Sequence, residues 1–226
     1  MFILQLSIAL QSKSILFSMP LFYQQNINAT TKMAIWSITE SLDFFESKVH
    51  THLEITNSIK KTQHLAARYL LKQLAPSIDM DGLKYAANGK PYFENHPIHF
   101  SISHCNGFAA CIINSMQPVG IDIELIQDRV AKVAHKFLHA TEQEKIKSLL
   151  AKDQLEQYTF FWAAKEAMYK MHEKLGIDFS QNLRIESLGK APQGELTAAI
   201  VSEAHALEVQ INYAITSEFV WATCVV

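Results

Sequence analysis

Helical and strand spacing recur in a loosely similar order in the two halves of this chain, with helices before most strands in each, and that order constrains the fold more than any single residue does. In the first half, the run 34–38 reads as a strand, and Ser37 with Glu40 as a capping box opening a short helix. A longer helix is expected over 57–74, with Leu65, Tyr69, Leu70 and Leu71 repeating on one face and Pro76 closing it. Asn88-Gly89-Lys90-Pro91 is a turn, and short strands are expected at 99–101, 108–113 and 119–124. In the second half, Thr141 with Glu144 and Asp153 with Glu156 read as the starts of two helices, the second running to 174. Four runs rich in β-branched and aromatic residues follow, at 183–188, 196–201, 207–215 and 218–226. The fold class expected is α+β, with two similar α/β halves. The expected divisions are an extension over 1–18, a first half over 19–120 and a second over 121–226.

Composition narrows the function classes. Of 226 residues, 49% are hydrophobic and 19% charged, enough for a packed core. Twenty Lys and Arg against 22 Asp and Glu give a net charge of −2, which argues against nucleic-acid binding through bulk charge. Three cysteines, Cys105, Cys111 and Cys224, make no disulfide framework and fit a reducing, cytoplasmic location. Residues 1–18 are apolar in part, but Lys13 follows the apolar run and no small-residue cleavage pattern comes after it, so a signal peptide is not expected. Polar interruptions at Gln5 and 11–14 spoil a span of about 20 apolar residues. The stretch reads as a non-core extension starting upstream of Met19, with a membrane-surface anchor as the alternative.

Three segments carry candidate chemistry. In Gly120-Ile121-Asp122-Ile123-Glu124, strand alternation puts both carboxylates on one face. Two adjacent carboxylates repel unless a cation sits between them, and hard oxygen ligands suit Mg²⁺. A solvated acidic edge strand is the simpler account of the pentapeptide alone. In the helix through 162–170, Trp162, Glu166 and Lys170 fall at i, i+4 and i+8 on one face. An exposed ion pair would explain Glu166 and Lys170, but Phe160, Phe161, Trp162 and Tyr169 make the helix unusually aromatic. In Phe100-Ser101-Ile102-Ser103-His104-Cys105, His104 directly follows a strand, where loops carry function, although a lone His there is more often structural.

Together, Gly89-Lys90-Pro91, Phe100-Ser101-Ile102-Ser103-His104, Gly120-Ile121-Asp122-Ile123-Glu124, and Trp162 with Lys165-Glu166-Ala167 and Lys170 resemble the Sfp-type branch of the 4′-phosphopantetheinyl transferase superfamily in order and spacing. The resemblance implies a pseudo-dimer of two halves with the active site between them. It implies transfer of the 4′-phosphopantetheine arm of coenzyme A to a serine of an apo acyl or peptidyl carrier protein, with release of 3′,5′-ADP. Carried over by motif position, Asp122, Glu124 and Glu166 would hold Mg²⁺, with Mn²⁺ as a substitute. Glu166 would be the general base and Lys170 would contact the phosphates. His104 with Ser103 would bind the 3′-phosphate, and Lys90 would line the nucleotide pocket. Basic residues of the first long helix, Lys61 and Arg68 among them, would contact coenzyme A phosphates, a solvated helix face being the alternative. Cys105 departs from the serine usual at its position. The partners implied are coenzyme A and the carrier, with no nucleic acid or membrane, and the protein is expected to be a monomer. The competing readings are a non-catalytic module that binds coenzyme A or the carrier, and a metal-dependent phosphoesterase.

Overall fold

The structure is a computed structural model that describes residues 21–87, 89–94, 96–172, 176–203 and 205–226. The expected extension over 1–18 and the last residues of the helix expected to 174 lie outside these.

Two antiparallel sheets form the frame. The first has the order β1-β2-β6-β5, from Leu21–Asn26, Thr31–Ser37, Phe108–Asn114 and His99–Cys105. The second has the order β7-β11-β10-β9-β8, from Gly120–Leu125, Phe219–Val225, Ala206–Ile215, Gln193–Val201 and Leu183–Ile185. A short hairpin, β3 (Leu83–Tyr85) with β4 (Pro91–Phe93), carries the Gly89-Lys90 turn.

Strand alternation explains how the layers stack. In β2, Met33 and Ile35 face one way, into a cluster with Ile121 and Ile123 of β7 and with Phe219 and Trp221 of β11. Ala34 and Trp36 face the other way, onto the helix α2 (Ser58–Leu74) through Leu65, Ala66 and Leu70. The second sheet repeats the arrangement, with Val220, Ala222 and Cys224 packed under the helix α5 (Ala151–His172). The order is therefore helix, sheet, sheet, helix, with apolar contact at each layer boundary. The mixed α+β class expected from the sequence is borne out.

Several boundaries differ from expectation for local reasons. The short helix α1 (Leu42–Glu46) is capped by Ser41, whose hydroxyl accepts from the Phe44 amide, while the Glu40 carboxylate is taken by the Trp36 indole and the Thr39 amide. The helix α4 (Ala140–Lys147) is capped by His139, not Thr141. Glu142 closes that capping box by accepting from the His139 amide at 2.8 Å. The helix α5 opens at Ala151, so Asp153 sits in its first turn. The remaining helix, α3 (Asp128–Val133), packs on α5. All three cysteines are buried free thiols, and among the described residues no helix is long and apolar enough to cross a membrane.

Candidate active site

The site lies where the edge strand β5 of one sheet meets the edge strand β7 of the other, under α5. Two serines of β5 tie the edges together. The Ser101 hydroxyl accepts from the Ile121 amide at 3.1 Å, and the Ser103 hydroxyl donates to Asp122 Oδ1 at 2.6 Å. Gly120 explains how closely α5 lies on β7, because a Cβ built there would meet the Ala167 carbonyl oxygen at 1.8 Å and the Met171 nitrogen at 2.9 Å. This approach puts one face of α5 over the carboxylate face of β7.

Asp122, 4% exposed, is the centre of the arrangement. Its Oδ1 also accepts from Lys170 Nζ at 2.7 Å, and Lys170 reaches the Ile121 carbonyl at 3.2 Å. Its Oδ2 is buried and has no hydrogen-bond partner. Glu124 accepts from the Trp162 indole at Oε1 and from Arg129 at Oε2, both at 3.2 Å. Desolvation, and then the Asp122 charge, push the Glu124 carboxyl up from its ordinary pKa, with the Trp162 bond, Arg129 and Lys170 opposing. Glu166 is pushed up further, to about 7, by desolvation first, then Asp122, with Lys170 opposing and Glu124 adding to the rise. The three carboxylates expected at the metal are thus electrostatic neighbours.

Among the described residues no three carboxylate, histidine or cysteine side chains close on one point. The buried, partnerless Oδ2 of Asp122 is nevertheless an acceptor that a hard cation would satisfy. Lys170 is the cation that now offsets part of the charge.

A basic group adjoins this centre. His104 is on the opposite face of β5 from Ser103. Its ring stands 6.5 Å from that of His64 on α2, and desolvation, then Lys170 and Arg68, lower its pKa. Arg68 is 2% exposed. It donates to the His64 carbonyl at 3.2 Å and to the Tyr85 hydroxyl, and its Nε is buried without a partner. Lys90 donates to the Lys170 carbonyl at 2.9 Å, and both lysines line a cavity of about 200 Å³ with Phe100, Ile102 and Tyr169. Tyr169 also lines a second cavity, which holds Glu166, Trp162, Phe137 and Phe179. Lys61 stands apart from this group, in an ion pair with Glu46 at 2.5 Å.

Sequence reasoning did not single out His64 or Tyr85. His64 precedes Arg68 by one helical turn, a spacing that would have paired them. Tyr85 joins Arg68 through the β3–β4 hairpin, whose turn at 88–91 is legible but whose three-residue strands are too short to show a pattern.

Residues 118–224 match the family model described as the 4′-phosphopantetheinyl transferase superfamily, ACPS. The resemblance to its Sfp-type members is borne out by individual relatives. The 4′-phosphopantetheinyl transferase gsp of Aneurinibacillus migulanus is 34% identical over 108 residues, 47% of this chain and 44% of that protein. The 4′-phosphopantetheinyl transferase Sfp of Bacillus subtilis (strain 168) is 35% identical over 103 residues, 43% of this chain and 44% of that protein. The chain thus spans less than half the length of the curated relatives it matches. The family match contains Asp122, Glu124, Glu166 and Lys170, whereas Lys61, Arg68, Lys90, Ser103 and His104 precede it.

Proposed function

We propose that this protein transfers the 4′-phosphopantetheine arm of coenzyme A to a serine of an apo acyl or peptidyl carrier protein, releasing 3′,5′-ADP. It acts in the cytoplasm as a monomer, its two halves forming a pseudo-dimer. The observation that supports this best is the buried Asp122 carboxylate with one partnerless oxygen, set between Glu124, Glu166 and Lys170 and next to the basic group of Arg68 and His104.

Asp122, Glu124 and Glu166 would hold Mg²⁺, or Mn²⁺ in its place. When bound, the ion offsets the charge of the coenzyme A pyrophosphate. Glu166 is placed to take the proton of the carrier serine, directly or through water. The serine oxygen then attacks the phosphorus next to the pantetheine. The pyrophosphate P–O bond breaks, and its electron pair leaves with 3′,5′-ADP. Lys170 stabilises that leaving group electrostatically. His104 and Arg68 bind the 3′-phosphate, and Lys90 lines the nucleotide pocket. Ser103 contributes by fixing Asp122.

The test is release of 3′,5′-ADP from coenzyme A with Mg²⁺, with and without an apo carrier. A transferase releases it only with the carrier. Release without the carrier would indicate a phosphoesterase, and binding of coenzyme A without release a non-catalytic module.

A further inference from the structure

Lys165 has no role in the mechanism above, yet its side chain is fully buried. Its ammonium has three acceptors: Glu142 Oε2 at 2.6 Å, the Phe137 carbonyl at 2.8 Å and the Phe179 carbonyl at 3.0 Å. A buried ion pair is a poor way to stabilise a fold, because desolvating both charges offsets their attraction, and apolar side chains often fill the same volume as well. Glu142 is also satisfied elsewhere, accepting from the amides of His139 and Ile185. What an ammonium does here that an apolar group cannot is hold two carbonyls from separate segments at once.

Those carbonyls belong to the two residues that enclose Trp162. The Phe137 ring stands 5.1 Å from the indole and the Phe179 ring 5.9 Å from it. Trp162, one helical turn before Lys165, gives its indole N–H to Glu124. We propose that Lys165 is a positioning residue: it clamps the backbones of Phe137 and Phe179 around Trp162, and the held indole orients the Glu124 carboxylate. The kinetic side of this inference rests on the transferase reading; the clamp itself does not.

The test uses the full chain with Trp36 and Trp221 replaced by Phe, so that Trp162 alone reports. In that background Lys165→Met is combined with Glu142→Gln, which removes the clamp without leaving a buried uncompensated charge. With folding verified by circular dichroism, Trp162 emission shifts to longer wavelength. The Mg²⁺ concentration for half-maximal transfer rises roughly 10–100-fold, as loss of a group supporting a metal ligand typically does, and excess Mg²⁺ restores the rate. A folded variant with unchanged emission and unchanged Mg²⁺ dependence overturns the proposal. Should the double substitution prevent folding, Lys165→Arg, which keeps a charge beside Glu142 but cannot set one ammonium against both carbonyls, is read by the same two measurements. If the parent protein transfers nothing, the transferase reading has failed, and the emission shift still decides the clamp.

Discussion

Asp122 uses its two oxygens differently, and the difference can be measured. Ser103 and Lys170 share Oδ1, while Oδ2 has no partner. Ser103→Ala removes a buried hydrogen bond to a charged group and is expected to lower stability by about 1.5–3 kcal/mol in denaturant melts. A change within experimental error would mean that the serine does not hold the carboxylate. Glu166→Gln keeps the shape but cannot accept the serine proton, so transfer is abolished while the circular dichroism spectrum is unchanged. Near-normal turnover would remove Glu166 from the role of base. His104→Ala should weaken coenzyme A binding by about tenfold or more, the scale of a lost charge-assisted hydrogen bond, with little effect on dephospho-coenzyme A. Equal losses would take the 3′-phosphate away from His104.

At the scale of elements, the contact between β7 and α5 sets the site. Gly120→Ala would push a Cβ into the Ala167 carbonyl, which is backbone and cannot turn aside. The helix must move, costing about 1–3 kcal/mol as overpacking does and separating Glu166 and Lys170 from Asp122. Lower stability with normal activity would show that the site tolerates this shift. On α2, His64 is held neutral, its pKa lowered to about 3 by desolvation and then by Arg68 and His104. Because the unfolded chain takes up this proton near 6.5 and the folded chain only near 3, the unfolded state binds more protons in between. Stability from this group is complete above about 6.5 and declines as pH falls toward 3. His64→Gln should flatten that part of the stability–pH curve, and an unchanged slope would assign the acid sensitivity elsewhere.

The same scale explains what could be read from the sequence. The helix α2 and the strand β10 were legible because each buries one face and so keeps a regular period, whereas β2, buried on both faces, showed as a short apolar run. The three-residue strands β3 and β4 are too short for a pattern, and β1 is an edge strand with half-buried residues on its inner face. The start of α4 was missed because a histidine caps it in place of a small polar residue. At the site, motif spacing pointed to Asp122, Glu124, Glu166 and Lys170. It gave no hint that Ser103 turns to Asp122 while His104 turns to α2, although strand alternation required them to part. Nor did it separate the buried Lys165 from the lysines that face the cavities, since burial comes from α4 and the segment around Phe179.

For the whole molecule, the two sheets meet along the edges of β5 and β7, and the candidate chemistry draws on both: acid and ammonium from β7 and α5, basic groups from α2 and β5. The central claim is that this junction moves the phosphopantetheine arm. Intact-mass spectrometry of apo carrier proteins incubated with the protein and coenzyme A, with Mg²⁺ or with EDTA, tests it most directly. The account predicts that a carrier gains the mass of one phosphopantetheine arm with Mg²⁺ and gains nothing with EDTA. No gain on fatty-acid, polyketide or peptide carriers, with coenzyme A still bound, would contradict it.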